Sequence, residues 1–402
     1  MDLNIVHNED CLSGLKKLPN NSVDCCITSP PYYSLRDYQV DGQVGQESTV
    51  QEYVSKLTEI FEEVRRVLKP TGVFYLNIGD TYSNFKSCKS VPQTISKFGN
   101  RAAANSLDLD KSHNRNVKSL KLQGFKNKEL MNVPHRLVFA LSDVGWYHRQ
   151  TIIWAKATSG ETREGSAMPE SVTDRFSSSF EYVFMLTKND KYFFDQFSVK
   201  EPLSTDTFFR SRRNFNTNKI GKENGNFDNR SHDYVESGLG NMRNVWRINL
   251  QPGSSGQHIA GYPERLVEVC LKTGSSEYGC CAECGDPYIR ILKKDGEINM
   301  SWSPGSRDYH KLTKSKGRLG STSSFLTDAV SNHVHSHWEK TCKCDTNNLK
   351  KSVILDPFMG SGTTALVALK NSRDFIGYEL NPEYVNICNN RIAGLINTVN
   401  YF

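Results

Sequence analysis

Several things are scarce in this chain of 402 residues, and each scarcity narrows what it can be. No apolar run approaches the ~20 residues of a membrane-spanning helix. The opening Met1-Asp-Leu-Asn-Ile has neither a basic flank nor the apolar stretch of an export signal. The expected setting is therefore the cytoplasm, with no membrane partner. Eleven cysteines are too few and too scattered for a disulfide scaffold of this length. Those gathered late in the chain point instead to metal ligands or buried thiols. No lysine follows the glycines of Gly360-Ser-Gly362, which disfavours a phosphate loop. No internal repeat is present.

What is there belongs to a folded enzyme-sized protein. The chain is 37% hydrophobic and 10% aromatic, long enough for a large core and more than one domain. The net charge of +6 is unevenly placed: Ser83 to Lys128 holds ten Lys/Arg against two Asp/Glu, a local balance of +8. A basic segment on a near-neutral body suggests a polyanionic partner, although a solvated surface loop has the same composition.

The stretch Ser352-Val-Ile-Leu-Asp-Pro-Phe-Met-Gly-Ser-Gly-Thr-Thr364 reads as a buried strand, a glycine turn and a helix start. Gly360 and Gly362 allow a sharp turn and a close approach to a ligand. A second strand, Asp374 to Tyr378, ends on Glu379, whose carboxylate can accept hydrogen bonds from two ribose hydroxyls. On this stretch alone, an ordinary strand–turn–helix and a dinucleotide site stay open.

Far upstream, Val23–Thr28 reads as a strand running into Ser29-Pro-Pro-Tyr-Tyr33. Two prolines in series cannot join a central ladder, so the strand ends in a rigid loop. Thr49-x-x-Glu52 is a capping box, and Tyr53, Leu57, Ile60, Phe61, Val64 and Leu68 form one apolar helical stripe stopped by Lys69-Pro-Thr-Gly72. A strand over Val73–Ile78 follows, which implies a parallel sheet with right-handed crossovers. Further elements are a helix over Leu130–Ser142, a strand over Tyr147–Trp154, and a hairpin of Phe180–Leu186 with Tyr192–Phe194. Helices over Glu264–Thr273 and Glu383–Leu395 complete the pattern, the last with Pro382 in its opening turn. The fold class is thus α/β, a doubly wound, mostly parallel sheet with irregular insertions. The domain reading assigns 1–82, 129–156, 257–279 and 346–402 to a catalytic core. It assigns 83–128 to a basic insertion, 157–250 to a target-recognition region and 280–345 to a Cys-rich insertion.

Thr28-Ser29-Pro30-Pro31-Tyr32 early and Asp356-Pro357-Phe358-Met359-Gly360-Ser361-Gly362-Thr363 late resemble the two signature motifs of amino-methylating DNA methyltransferases. The order, catalytic motif before cofactor motif, resembles the beta group of that family. The likeness spans over half the chain. It implies S-adenosylmethionine as cofactor and double-stranded DNA as partner, with a cognate restriction endonuclease as a further companion and a bacterial, archaeal or phage source. Residue by residue, it implies cofactor contacts from Thr28, Asp356, Pro357, Phe358, Gly360, Ser361, Gly362, Thr363, Glu379, Asn381 and Pro382. Asp356 would bind the cofactor's ammonium or an amide that bridges to it, and Ile376, Phe358 and Pro382 would sandwich its adenine. Asp10 and Asp24 are candidates for further polar contacts or for core and surface roles.

Ser29, Pro30, Pro31 and Tyr32 are the catalytic candidates. An amine stacked inside DNA cannot reach a sulfonium, so the base must be extruded. Tyr32 offers a stacking plane, and Ser29 Oγ with the Pro30 carbonyl can accept the two amine hydrogens. Carbon methylation of cytosine uses a Cys nucleophile that follows Pro in its family, and no Pro-Cys pair occurs here. Ser29 in place of Asp resembles the cytosine-N4 enzymes; adenine N6 is the alternative. An RNA or protein amine methyltransferase is a nearer rival; more remote alternatives are a nucleotide-dependent oxidoreductase and an inactive DNA-binding module. Arg210, Arg212, Arg213, Lys219, Lys222, Arg230, Arg243 and Arg247, mixed with Asn, Phe and Tyr, suit a base-reading surface or a solvated loop. Cys281-x-x-Cys284 and Cys342-x-Cys344 suit a tetrahedral structural zinc. Their separation of 57 residues is unusual, and Cys280, His333, His335 and His337 are rival ligands.

Overall fold

Val23–Thr28, six residues without an exposed side chain, forms a strand in the interior of an eight-stranded sheet. In the computed structural model the described residues are 1–35, 40–83, 120–157, 172–202, 239–249, 261–294 and 333–399. The strands are β1 (Ile5–His7), β2 (Val23–Thr28), β3 (Leu68–Ile78), β4 (Tyr147–Ala157), β5 (Phe180–Thr187), β6 (Glu201–Pro202) and β7 (Leu239–Gly240). They continue as β8 (Val245–Asn249), β9 (Cys280–Cys281), β10 (Tyr288–Lys294), β11 (His333–Lys340), β12 (Leu349–Lys350), β13 (Val353–Asp356) and β14 (Asp374–Tyr378). The helices that matter below are α1 (Cys11–Lys17), α2 (Val50–Val67), α3 (Val133–Asp143), α4 (Glu264–Gly274), α5 (Thr363–Lys370) and α6 (Pro382–Val399).

The sheet runs β1-β14-β13-β2-β3-β5-β4-β8. β1, β14, β13, β2 and β3 are parallel to their neighbours, β5 is antiparallel to both β3 and β4, and β8 is parallel to β4. This is the expected α/β, doubly wound, mostly parallel sheet. The short apolar runs become fully buried central strands because helices cover both faces. α2 carries its capping box as read, with Thr49 Oγ1 accepting from Glu52 N and Glu52 Oε2 accepting from Thr49 N, both at 3.0 Å. Its stripe Tyr53, Leu57, Ile60, Phe61 and Val64 is buried, and Phe61 meets Phe74 of β3 with ring centroids 4.9 Å apart. Among the described residues no helix is long and apolar enough to cross a membrane.

Three details differ from the sequence reading. Leu68 ends α2 in extended conformation and begins β3, so the Lys69–Gly72 stop lies inside a strand. A register shift between Val23 and Cys25 of β2 absorbs Pro70 and Gly72 without breaking the pairing on either side. Tyr192–Phe194 is not a strand; β5 pairs with β4 and β3 instead, while Phe193 N donates to Thr71 O at 2.8 Å. The domain borders also move. β5 and β8, placed in the 157–250 target-recognition region, are strands of the main sheet, because their apolar faces complete its core.

The chain divides into two units: Met1–Phe194, Asn244–Gly279 and Lys350–Phe402 form the first, Asp195–Arg243 and Cys280–Leu349 the second. The first holds the eight-stranded sheet. The second contains the antiparallel pair β10–β11 and the short pair β6–β7. Residues 84–119 of the basic insertion, and Arg210, Arg212, Arg213, Lys219, Lys222 and Arg230, lie outside the described residues.

Candidate active site

From β13 the chain crosses through α5 to β14 on one side; from β2 it crosses through α2 to β3 on the other. Crossovers that diverge in this way leave a crevice at the carboxyl ends of the two central strands. Both sequence motifs end there. Thr28 at the end of β2 donates its hydroxyl to Asp356 Oδ1 at the end of β13, 2.5 Å away across 328 residues of sequence.

Asp356 is fully buried and accepts from four donors. Oδ1 also accepts from Phe358 N at 3.0 Å, and Oδ2 accepts from Tyr262 Oη at 2.9 Å and Thr364 Oγ1 at 2.6 Å. Burial pushes its carboxyl pKa up, and the hydrogen bonds from Thr28, Thr364, Phe358 and Tyr262 pull against that rise. The side chain expected to hold a ligand's ammonium is thus turned inward, bracing Thr28, Tyr262 and the glycine turn to one another.

The turn itself is Pro357 to Thr363. Pro357 is buried, and half-buried Phe358 lies edge-on to Phe61 at 6.5 Å. Gly360 and Gly362 have φ of 53° and 85°, the left-handed region that disfavours other residues. A Cβ on Gly362 would lie 2.1 Å from Cys388 Sγ, so α6 packs directly on that backbone. A Cβ on Gly360 would meet no atom within 4 Å, which leaves open space over the turn. Ser361 is anchored from α6, with Arg391 Nη1 donating to its carbonyl at 2.7 Å and its Oγ at 3.1 Å. Across the turn, Glu379 follows β14; its Oε2 accepts from Gly360 N and its Oε1 from Asn381 N, both at 2.8 Å. Burial pushes the Glu379 carboxyl up as well. Asn381 Oδ1 accepts from Glu383 N at 2.8 Å and so caps α6, with Pro382 as its first residue.

The Ser29–Tyr32 loop lies at the end of the neighbouring strand. Pro30 is buried, and Ser29, Pro31 and Tyr32 are half-buried. Tyr53 Oη donates to the Pro31 carbonyl at 2.8 Å, pinning the loop to α2. The Tyr32 ring lies against Gly79, where a Cβ would approach it to 2.7 Å. Tyr32 Oη donates to Glu181 Oε2 at 2.5 Å. Glu181 in turn pairs with Lys156 Nζ at 2.6 Å and accepts from Asn77 Nδ2 at 3.2 Å.

Glu181, Lys156, Asn77 and Tyr262 were not singled out from sequence. The available signal is a polar residue interrupting an apolar strand, as in Phe180-Glu-Tyr-Val-Phe-Met-Leu186. Three expected contributors stand elsewhere. Ile376 is fully buried in the core, with no surface left for an adenine ring. Asp10 caps α1, accepting from Ser13 N at 2.9 Å. Asp24 sits at the opposite end of β2, paired with Lys69. A cavity of about 310 Å³ between Asn20, Arg65, Arg66 and Lys188 also lies at that far end.

In the second unit, Cys281, Cys284, Cys342 and Cys344 bring their four sulfurs within 4.8 Å of one another. The 57-residue separation is closed by β10 and β11, whose pairing of Tyr288 with Lys340 returns the chain to its starting point. Gly285, at φ 84°, donates its N–H to Cys281 O at 2.9 Å and turns the first pair into a tight knuckle. Cys280 and His337 are outside the cluster, and the side chains of His333 and His335 lie outside the described residues.

Two adjoining features therefore face one crevice: a glycine turn with a carboxylate opposite, and a rigid loop offering hydrogen-bond acceptors beside an aromatic ring. A family model described as DNA methylase, of the N6/N4 type, matches residues 23–288 and 336–390. The type II methyltransferase M.Cfr9I of Citrobacter freundii is 32% identical over 385 residues, covering 96% of this chain and 86% of that one. M.SmaI of Serratia marcescens is 29% identical, covering 95% and 88%. Among solved structures, the cytosine-N4-specific PvuII DNA methyltransferase has a TM-score of 0.46 at 16% identity, covering 96% and 86%. A putative DNA modification methylase from Thermus thermophilus, solved with S-adenosyl-L-methionine, has a TM-score of 0.45 at 17% identity, covering 97% and 93%.

Proposed function

This chain belongs to the family of DNA methyltransferases that modify exocyclic amines at N6 or N4, and on that footing we propose that it methylates cytosine N4 at a specific site in duplex DNA. The observation that carries the reading is the junction of Ser29–Tyr32 with the Asp356–Thr363 turn at adjacent strand ends, with serine in the first catalytic position.

S-adenosylmethionine supplies a methyl group on a positively charged sulfur, already a strong electrophile. Glu379 would hold its ribose hydroxyls, and the Phe358–Gly362 turn, with Ser361 and Thr363, would hold its amino-acid part. Asn381 and Pro382 line the adenine side, and Thr28 and Asp356 brace the turn from beneath. The open space over Gly360 fits a group that must approach the backbone closely.

The catalytic loop has the remaining work. Once the base is extruded, the Tyr32 ring stacks on it, worth roughly 1–3 kcal/mol. Ser29 Oγ and the Pro30 carbonyl accept the two amine hydrogens, drawing nitrogen toward tetrahedral geometry and freeing its lone pair. Positioning then supplies much of the rate. Serine rather than aspartate at position 29 favours cytosine over adenine. The basic stretch of residues 83–128 and the cationic run from Arg210 to Arg247, within the 157–250 region, serve contact with DNA, and a restriction endonuclease of the same specificity is the expected companion.

The test is to incubate the protein with duplex DNA and methyl-labelled S-adenosylmethionine, digest to nucleosides and identify the labelled one by mass spectrometry. N4-methylcytosine is expected. N6-methyladenine would overturn the choice of base, and label in RNA or protein alone would overturn DNA as substrate.

The four thiols hold a structural zinc in this reading. Bonds of ~2.3 Å in a tetrahedron space sulfurs roughly 3.8 Å apart, a small contraction of the observed cluster. About one zinc per chain is expected by elemental analysis of protein purified without added metal. Cys284→Ser and Cys344→Ser should each lose it and lower the midpoint of thermal unfolding. Metal-free protein with four freely titrating thiols would remove the zinc.

A further inference from the structure

We propose that Phe176 fills the gap left in duplex DNA when the target base swings out into the crevice. The proposal rests on the methyltransferase reading of that crevice.

Phe176 is 97% exposed, more than any other large apolar side chain among the described residues. A single exposed apolar residue is commonplace on a protein surface and by itself means little. This one differs because the chain around it is held while its ring is not. Its carbonyl accepts from Arg175 Nη1 at 2.9 Å. The Arg175 guanidinium lies over the Tyr82 ring, 4.0 Å from its centroid. One residue further back, Asp174 pairs with Lys128. Beyond the ring, Ser179 O accepts from Lys156 N at 2.8 Å, and β5 begins at Phe180.

These ties fix where the ring stands. Tyr82 lies three residues beyond Gly79, whose backbone meets the Tyr32 ring. Glu181, the second residue of β5, accepts from the Tyr32 hydroxyl. Both ends of the Phe176 loop thus reach neighbours of Tyr32, which sets Phe176 at the rim of the crevice. The remaining anchor is the root of the basic stretch. Ser83 O accepts from Lys128 N and Ser83 N donates to Glu129 O, each at 2.9 Å, and Tyr82 pairs with Leu130. The segment with the local balance of +8 therefore leaves and returns where Asp174 and Arg175 dock. Phe176 stands between the loop that stacks on the base and the stretch that meets the DNA backbone.

An extruded base leaves a slot in the stack, and the bases on either side lose a flat neighbour. Phenylalanine is among the apolar side chains that DNA-binding proteins insert between base steps. Its ring is planar and has no polar atom to leave unpaired in the slot. The surface that the free protein exposes to water is then buried against DNA. Because the backbone is already pinned, little order has to be imposed on binding. Asp174, the one acid between Val172 and Phe180, would repel phosphates, but Lys128 offsets its charge. Phe176 touches no reacting atom; it is a positioning residue that keeps the base out.

Phe176→Ala trims an exposed side chain, so the midpoint of thermal unfolding should stay at the wild-type value. The probe is a synthetic duplex carrying the sequence that the wild-type enzyme methylates. With enzyme in excess, the single-turnover rate of the alanine variant should fall about 30-fold on this duplex. In a second duplex the nucleotide opposite the target lacks its base, so the target is unpaired before binding. There the loss should shrink to about threefold, because less has to be held apart. Phe176→Trp, which restores a flat ring, should stay within about fivefold of wild type on both. An alanine variant with the wild-type rate on the paired duplex overturns the proposal. Equal losses on the two duplexes also overturn it, because the ring would then hold the extruded base or the strand and not the gap. A wild-type protein that methylates no DNA overturns the methyltransferase reading and this proposal with it. An active wild type with an unaffected alanine variant overturns this proposal alone.

Discussion

Asp356→Ala should destabilise the first unit by about 3–5 kcal/mol, the largest loss expected from any single truncation at the site. Four donors, the hydroxyls of Thr28, Thr364 and Tyr262 and the N–H of Phe358, converge on a carboxylate that is 0% exposed. Each buried group left without an acceptor costs about 1–3 kcal/mol, and the hydroxyls can recover part of it by turning toward backbone carbonyls. The Phe358 N–H cannot turn. Asp356→Asn should fall between alanine and wild type, because one oxygen remains to accept while the new amide meets donors head-on. Urea unfolding followed by circular dichroism gives the numbers. An alanine variant within about 1 kcal/mol of wild type would mean that water or backbone replaces the carboxylate at little cost. The same substitution should weaken cofactor binding, since it releases the glycine turn from the strand beside it.

The second large effect is expected at the other end of the same strands. Asp24 Oδ1 pairs with Lys69 Nζ at 2.7 Å, and its Oδ2 accepts from Val353 N at 2.8 Å. Asp24 is 7% and Lys69 8% exposed. Asp24→Ala takes the carboxylate away from a buried ammonium, and breaking one side of such a pair costs about 3–5 kcal/mol. Replacing both partners with apolar residues of similar size, Asp24→Leu with Lys69→Met, should recover most of the loss, because the pair's attraction largely offsets its own desolvation. A single variant no worse than a surface substitution, about ±0.5 kcal/mol, would show that water reaches Lys69. A double variant as unstable as the single one would place the cost in the orphaned Val353 N–H instead.

Both aspartates tie β2 to β13, one at each end, and this arrangement explains what could be read in advance. The apolar runs and the capping box of Thr49 and Glu52 are local signals, decided within a few residues, and they marked β2, α2, β13 and α5 correctly. Asp356 and Asp24 were visible as acidic residues near strands, but an acid beside a ligand and an acid beneath one look alike along a chain. Only the neighbours distinguish them: Thr28 and Tyr262 for one, Lys69 for the other, each distant in sequence. Strand pairing failed for the same reason. Phe180–Leu186 has the composition of a buried strand whatever its partner, and nothing along the chain shows that β3 and β4, rather than the nearby Tyr192–Phe194, lie beside it. Glu181 lies inside the strand that the sequence marks, but nothing along the chain shows what its carboxylate meets. Here Lys156, Asn77 and Tyr32 supply partners for it from three other segments.

The cysteine cluster has a consequence for how this protein can change. β10 leaves the knuckle and β11 returns to it, so Lys294 and His333 face each other as partners in the pairing. Whatever joins those two positions starts and finishes at one place. For a flexible connection, doubling its length costs only about 0.6 kcal/mol. A different sequence exchanged between these anchor points would be held at both ends by the same two strands, beside whose far ends the four sulfurs cluster.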